Sequence, residues 1–381
     1  MAKEKKDEKA VDVPQEEKEE MFELIKALSE SHGVSGREKK VKNKIKELIS
    51  EFAEEVKEDE MGNLIARIGS GEKKIMIAAH MDEIGLMVKS IDDKGFIRFV
   101  KLGGIYDGTI LNQRVVVHTK KGEVLGVIGS KPPHKMKREE MEKVIKAEEM
   151  FIDVGAESKK EVEEEFGIEL GNWITIERDV AKLGKNKVTG KAFDDRIGCA
   201  VLIKLAKELS KNKEKIKDKT IYLVFTVQEE VGLKGARTSA FEIDPDFAIA
   251  VDTNLPNDFP AADNNDPPMK LGKGPAVTII DASGLGIIVR EDIISFISDV
   301  AKKGKIPIQL DVSDAGTTDA AIINITRAGI PTATISVPAR YIHTPVEVID
   351  LRDAVFTWKL IYECIVNYSN NVNIGDANDN C

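Results

Sequence analysis

A set of histidine and acidic residues lies beside apolar, strand-like segments of this chain. They are His80 and Asp82 in HMDEIG, Asp194 and Asp195 in AFDDRIG, Glu229 and Glu230 in QEEVGLKGA, Asp252 in VDTN, and His343 in RYIHTP. A carboxylate beside a buried strand is costly unless an opposite charge compensates it. Two divalent metal ions would compensate this set, and imidazoles combined with carboxylates suit zinc or a similar metal. The residues therefore predict a dinuclear metallohydrolase.

Most of these motifs directly follow an apolar run that reads as a strand. IMIAA precedes His80, YLVFTV precedes the Glu229-Glu230 pair, AIAV precedes Asp252, and TISVP comes shortly before His343. In open α/β sheets, functional groups collect at the carboxyl ends of the strands. We therefore expect these residues to share one site.

The spacing within two motifs indicates separate roles for neighbouring residues. His80 and Asp82 have the spacing of a ligand histidine and a carboxylate that fixes its tautomer, with a turn cap as the alternative for Asp82. Successive residues at a strand end point in different directions, so one of Glu229 and Glu230 can bind metal while the other acts as a general base. The alternative, an exposed pair of loop acids, conflicts with the apolar VFTVQ before them.

The pair Asp194-Asp195 opens a predicted helix, where adjacent carboxylates repel each other unless a cation neutralises them. One of them can bridge two metal ions while the other caps the helix or pairs with Arg196. The residues themselves do not decide which. Asp319 in SDAGTTDAAIIN is equally open between a helix cap and a part of the substrate pocket.

The remaining histidines are expected to have no catalytic role. His32 lies at a break between two predicted helices, where Ser35 and Glu38 match a capping box for the second helix. His118 is predicted to face solvent from a strand, and His134 to lie in a loop.

Composition excludes several classes of protein. The formal net charge of -10 over 381 residues argues against a nucleic-acid surface, and no apolar run approaches the length of a membrane span. The N-terminal segment lacks the apolar core of a signal peptide, and three cysteines show no zinc or disulfide spacing. We expect a cytoplasmic protein without a nucleic-acid or membrane partner.

The pattern of elements predicts the α/β class, with a mostly parallel sheet covered by helices on both faces. Short strands separated by turns, typical of a small β-rich domain, interrupt this pattern. The predicted divisions are a disordered charged tail over 1–18, a catalytic α/β domain over 19–84 and 181–370, a β-rich insertion over 85–180, and a frayed tail over 371–381.

The motifs HMDEIG, AFDDRIGC, QEEVGLKGA, VDTN and RYIHTP, in this order, resemble the M42 family of metallo-aminopeptidases, the tetrahedral aminopeptidases of archaea and bacteria. The similarity extends from SHGVSGRE to the last predicted helix. It implies a zinc-peptidase-like domain interrupted by a small dimerisation domain, and a homo-oligomer, a dodecamer built from dimers. One departure is GTTDA, where the family would have a Gly-Gly-Thr-Asp run.

The resemblance also implies a role for each site residue. His80 and Asp252 would bind one metal ion, Glu230 and His343 the other, Asp194 would bridge both, Glu229 would be the general base, and Asp82 would support His80. The cofactors would be two divalent metal ions per subunit, zinc or cobalt. The expected reaction releases N-terminal residues from peptides with a free N-terminus, through a metal-activated water.

Two other classes of function use the same residues. A deacylase, dipeptidase or carboxypeptidase of related fold could carry this ligand set, because pocket shape determines the substrate. A carboxypeptidase needs a cation for the substrate's terminal carboxylate, and Arg340 is the candidate close to a motif. A non-catalytic structural shell is the remaining alternative, but a shell gains nothing from charged groups at buried strand ends.

Overall fold

An eleven-stranded sheet and a closed six-stranded barrel form the fold in the computed structural model, which describes residues 13–262 and 268–369. The helices are α1 (Gln15–Ser29), α2 (Lys39–Ile49), α3 (Asp107–Ile110), α4 (Arg138–Met141), α5 (Phe193–Lys211), α6 (Lys234–Ile243), α7 (Glu291–Gly304), α8 (Asp319–Asn324) and α9 (Leu351–Asn367). The strands are β1 (Glu55–Glu58), β2 (Leu64–Gly69), β3 (Lys73–His80), β4 (Gly85–Ile91), β5 (Ile97–Leu102), β6 (Arg114–Thr119), β7 (Gly122–Gly129), β8 (Phe151–Asp153), β9 (Trp173–Ile176), β10 (Ala181–Leu183), β11 (Lys187–Gly190), β12 (Lys219–Thr226), β13 (Phe247–Asn254), β14 (Ala276–Ile280), β15 (Gln309–Val312), β16 (Thr332–Arg340) and β17 (Glu347–Asp350).

The chain ends differ from the expected tails in one respect. Helix α1 begins at Gln15, inside the predicted tail of residues 1–18, so that prediction was wrong for residues 15–18. The first twelve residues and the predicted frayed tail over 371–381 lie outside the described residues. Within the described residues, no helix combines the length and the apolar content that crossing a membrane requires.

The large sheet combines parallel and antiparallel pairs, so the prediction of a mostly parallel sheet was correct only for its centre. Its centre is parallel, in the order β12, β3, β13, β16. Most of the flanking strands pair antiparallel: β2 with β12, β17 with β16, β11 with β17, and β14 with β16, whereas β15 pairs parallel with β14. Antiparallel neighbours such as β10 and β11 need only a short turn between them, whereas parallel strands need a long crossover.

Helices cover both faces of this sheet, as predicted. Alternate residues of β3 point to opposite faces: Ile75 and Ile77 pack in a core with helix α5, while Met76 and Ala78 pack in a second core with helices α6 and α8. The central strands are mostly apolar because both of their faces are buried.

The six strands of the barrel, β4 to β9, pair antiparallel and all lie within the predicted β-rich segment 85–180. The barrel has its own core, which includes Ile97, Val115 and Ile174. The division of the chain into domains, and the role of this segment in dimerisation, stay predictions.

Candidate metal centre

The carboxyl edge of the parallel strands positions most of the candidate site residues. Strand β3 ends at His80, β13 carries Asp252 near its end, and the Glu229-Glu230 turn follows β12. His343 lies in the turn after β16, and Asp194 lies in the first turn of α5. Parallel strands end at one edge of a sheet, so residues far apart in sequence meet there.

These side chains form two groups that could each hold a metal ion. One group is His80, Asp194 and Asp252, and the other is Asp194, Glu230 and His343; the ligand atoms of each group lie within 4.8 Å of one another. Asp194 belongs to both, because its Oδ1 lies 3.1 Å from His80 Nε2 and its Oδ2 lies 3.3 Å from His343 Nε2. Its carboxylate therefore presents one oxygen to each group.

Asp195, the other member of the acidic pair, has a local structural role. Its Oδ1 accepts a hydrogen bond of 2.9 Å from the backbone N–H of Gly198, and its Oδ2 accepts one of 3.3 Å from that of His80. Arg196 does not pair with it but donates to backbone carbonyls, among them that of Met81 at 2.7 Å. Of the two options left open by the sequence, capping is the one observed: the backbone of Asp195 is non-helical, and its carboxylate caps the regular part of α5 that follows.

Burial and mutual repulsion perturb the acids of the site. Burial raises the pKa of Glu229 and outweighs the lowering effect of His80. The carboxylate of Asp252 raises this pKa further. Burial likewise raises the pKa of Asp252, and the Asp194 carboxylate adds to this shift. Within the described chain, none of the carboxylates of Asp194, Glu229, Glu230 and Asp252 pairs with a lysine or arginine.

The two imidazoles partly neutralise these acids. Burial alone would lower the pKa of His343, but the nearby carboxylates of Asp194 and Glu230 outweigh it and raise the pKa to about 11. Against the cost of burial, His343 and His80 hold the pKa of Asp194 well below its usual range. Glu230 Oε1 is buried without a hydrogen bond, although His343 Nε2 lies 3.2 Å away. Carboxylate and imidazole groups whose hydrogen bonding is incomplete in this way are suited to bind divalent cations.

The family model and the curated relatives identify one family. The model of the M42 glutamyl aminopeptidase family matches residues 62–360. A putative aminopeptidase of Acetivibrio thermocellus is 42% identical over 349 residues, which cover 92% of this chain and 99% of the relative. The chain belongs to the M42 family of aminopeptidases. It is therefore a hydrolase of peptide bonds, and the resemblance read from the motifs is confirmed.

Solved structures of M42 relatives share the fold over nearly their full length. Aminopeptidase APDkam598 from the archaeon Desulfurococcus kamchatkensis is 45% identical with a TM-score of 0.87, covering 93% of this chain and 97% of that one. The Pyrococcus horikoshii TET1 peptidase, which can assemble into a tetrahedron or a large octahedral shell, is 35% identical with a TM-score of 0.82, covering 91% and 100%.

Asp82 contacts the site differently from the expectation for this M42 chain. His80 Nδ1 lies 3.0 Å from the main-chain carbonyl oxygen of Asp82 but 3.7 Å from its carboxylate. The carboxylate instead accepts hydrogen bonds from the backbone N–H groups of Glu229, at 3.0 Å, and Glu230, at 3.2 Å. It also accepts one of 2.7 Å from the hydroxyl of Ser35. The carbonyl thus orients the imidazole, and the carboxylate holds the Glu229-Glu230 turn.

Three positioning residues were not identified from the sequence. Glu38 Oε1 accepts from the backbone N–H of Gln228 at 3.2 Å, and Ser35 donates to Asp82, so the predicted capping role of this pair was wrong. Helix α2 begins at Lys39 without a side-chain cap. Glu347 accepts from the backbone N–H groups of Phe193, Asp194 and His343 at 2.6, 3.1 and 3.0 Å. An acid inside the apolar run VEVID, four residues after His343, was the available signal.

The other candidates lie outside the two groups. Asp319 does not cap α8, because Thr318 does so, and its carboxylate accepts a hydrogen bond of 2.6 Å from the Thr226 hydroxyl. Arg340 donates through Nε and Nη2, both at 2.7 Å, to the carboxylate of Asp258. His118 is buried, so the prediction that it faces solvent was wrong.

Proposed function

We propose that this M42 aminopeptidase binds two divalent metal ions, zinc or cobalt, and uses Glu229 as its general base. His80 and Asp252 would hold one ion and Glu230 and His343 the other. The observation that carries the proposal is the position of Asp194, whose two oxygens face the two imidazoles. A carboxylate shared in this way is suited to bridge two cations.

Glu229 is placed to move a proton. It belongs to neither group of ligands, and its Oε2 lies 3.9 Å from His80 Nε2. Burial raises its pKa, which brings a carboxylate closer to the range useful for proton transfer at neutral pH. When bound, the metal ions would supply Lewis acidity for the scissile carbonyl and for a water molecule. Glu229 would accept a proton from the attacking water and return it to the leaving amine.

Substitution of Glu229 by glutamine tests the base. The variant is expected to retain its metal ions but to lose activity by about 10²-fold or more, the usual contribution of a general base. Metal content is measured by atomic spectroscopy and kcat with an aminoacyl chromogenic substrate. Glu214→Gln, at an exposed position, is the matched control and should keep wild-type kcat. Near-wild-type turnover by Glu229→Gln would refute the assignment.

Free and N-acetylated aminoacyl substrates, given to metal-stripped enzyme refilled with zinc or cobalt, test the reaction class. We expect metal-dependent release from substrates with a free amine only. Equal release from blocked substrates would favour a deacylase, and no release would favour a structural shell. A carboxypeptidase is disfavoured because Arg340 already pairs with Asp258, so its guanidinium is engaged.

We also propose a homo-oligomeric assembly, a dodecamer built from dimers through the β-rich segment. The support is the shared fold with the P. horikoshii TET1 peptidase. Native mass measurement tests it, and a stable monomer would count against it.

A further inference from the structure

A cavity of about 450 Å³ opens directly beside the proposed metal centre. Its walls include Asp194, Asp252 and His343 from the two ligand groups. Beside the exposed Asp314, they also include two buried aspartates, Asp281 after strand β14 and Asp311 in strand β15. A group bound in this cavity would therefore adjoin the reacting bond of a substrate.

Both of these aspartates are buried, and one is incompletely satisfied. Asp281 is 5% exposed and Asp311 is 4% exposed. Asp281 Oδ1 accepts a hydrogen bond of 2.6 Å from the backbone N–H of Ile287, whereas its Oδ2 is buried with no partner. Asp311 Oδ2 accepts one of 2.8 Å from the Asn254 amide. A buried carboxylate oxygen without a donor is costly, which indicates that a ligand supplies the donor.

The negative charge of Asp281 and Asp311 is not balanced by a lysine or arginine side chain of the cavity, since none lines it within the described residues. Burial raises the pKa of both carboxyl groups, and the proximity of Asp311 raises that of Asp281 further. A cation placed between them would remove this repulsion.

The remaining walls suit an aliphatic chain. Phe259, Met269 and Ile342 line the same cavity and offer apolar surface. Lysine and arginine side chains place their methylene groups on such surface while the charged end reaches a polar partner. The cavity thus combines an apolar wall with a buried acidic pair.

We propose that this cavity receives the side chain of the substrate's N-terminal residue and selects lysine or arginine through Asp281 and Asp311. The inference rests on the proposed function, since it takes the adjoining metal centre to be the site of cleavage. An acidic side chain would be repelled from the cavity, and an aliphatic one would leave Asp281 Oδ2 without a donor.

Lysine and norleucine p-nitroanilides test the proposal, because both side chains are unbranched chains of four carbon atoms but only that of lysine ends in an ammonium group. With the metal-loaded enzyme, kcat/KM for lysine should exceed that for norleucine by about 10- to 100-fold, the range expected for a hydrogen bond to a charged group. The glutamyl substrate should be the poorest. Equal values for lysine and norleucine would overturn the inference while leaving the proposed function intact. Release of none of these substrates would overturn both.

Substitution of Asp281 by asparagine locates the selectivity. Asparagine keeps an acceptor for Ile287 but removes the charge, so the lysine-to-norleucine ratio should fall about 10-fold or more. Asp299→Asn is the matched control: it removes an exposed carboxylate on α7, outside the cavity, and should keep the wild-type ratio. Asp311→Asn provides a second variant if Asp281→Asn does not fold. An unchanged ratio in the folded variants would overturn the inference, as would an equal loss of activity on both substrates.

Discussion

Glu347 connects the two proposed metal sites through the backbone. One of its oxygens accepts from the N–H groups of Phe193 and Asp194, and the other accepts from that of His343. It lies in β17 and is 2% exposed, so these contacts are shielded from solvent. Asp194 and His343 therefore take their positions from a residue that is not itself among the ligands.

Substitution of Glu347 by glutamine should weaken metal binding. The glutamine amide nitrogen cannot accept a hydrogen bond, so one side of the bridge is lost and a buried N–H loses its acceptor. We expect metal affinity to fall about 10- to 100-fold, as for other groups that orient metal ligands. Competition with a chelator measures this affinity. Glu165→Gln, an exposed change in the barrel segment, should leave it unaltered. Wild-type affinity in Glu347→Gln would contradict the role.

The sequence indicated which side chains would lie close together, because most of them follow an apolar strand and strand ends converge. It did not predict Glu347, Ser35 or Glu38, since their partners are backbone N–H groups of distant segments. Which turn will leave an N–H group unsatisfied depends on the folded backbone. The choice between Asp194 and Asp195 likewise depends on the direction of each side chain within one helical turn.

The loop between α1 and α2 positions the turn that follows β12. Asp82 and Glu38 accept the N–H groups of Gln228, Glu229 and Glu230, and the Ser35 hydroxyl binds the Asp82 carboxylate. Gln228 has a positive φ of 56°, which is unfavourable for a residue with a side chain. These hydrogen bonds therefore stabilise a turn with an unfavourable backbone conformation, and this turn carries Glu229, the proposed base, and Glu230, a proposed ligand.

Removal of the Ser35 hydroxyl tests this arrangement. In Ser35→Ala, Asp82 loses its one side-chain donor, so we expect kcat to fall about 10-fold or more while KM changes little, because misplacing a catalytic group affects turnover first. Steady-state kinetics on a free-amine substrate provide both values. Ser50→Ala removes an exposed hydroxyl that donates to a backbone carbonyl and serves as control. A rise in KM with unchanged kcat would indicate a role in substrate binding instead.

The sheet illustrates what the pattern of elements could not predict. Apolar runs such as that of β3 identified the parallel centre, since strands buried on both faces lack alternation. The short edge strands, for example the exposed β10, carry no such signal, and their direction follows from turn geometry. The α/β class was therefore predictable, whereas the mixed character of the sheet was not.

At the scale of the whole molecule, His118 connects the barrel to the α/β part. Thr175 Oγ1, in β9, lies 2.9 Å from both His118 Nε2 and His32 Nδ1, and the ring of Trp173 stacks on that of His118 at 3.5 Å. Lys40 of α2 donates to His118 Nδ1 at 3.3 Å. The charged residues around this junction are Lys40, Glu83, Glu123 and Lys191. A proton on His118 would add a positive charge to a buried side chain beside the ammonium group of Lys40.

Acid should weaken this junction, and His118→Gln should remove part of that sensitivity. Burial, with His32 and Lys40, lowers the pKa of His118 to about 3, whereas the unfolded chain takes up this proton near the ordinary value of 6.5. As pH falls below the unfolded value, only the unfolded state gains the proton, so stability is lost at about 1.4 kcal/mol per pH unit until the folded pKa is reached. Between pH 7 and 5 the free energy of unfolding of the wild type should therefore fall by about 2 kcal/mol more than that of His118→Gln. Urea titrations of the metal-stripped proteins measure the difference. His134→Gln, at an exposed position, should follow the wild type. Parallel loss of stability in the wild type and His118→Gln would show that another group takes up the proton.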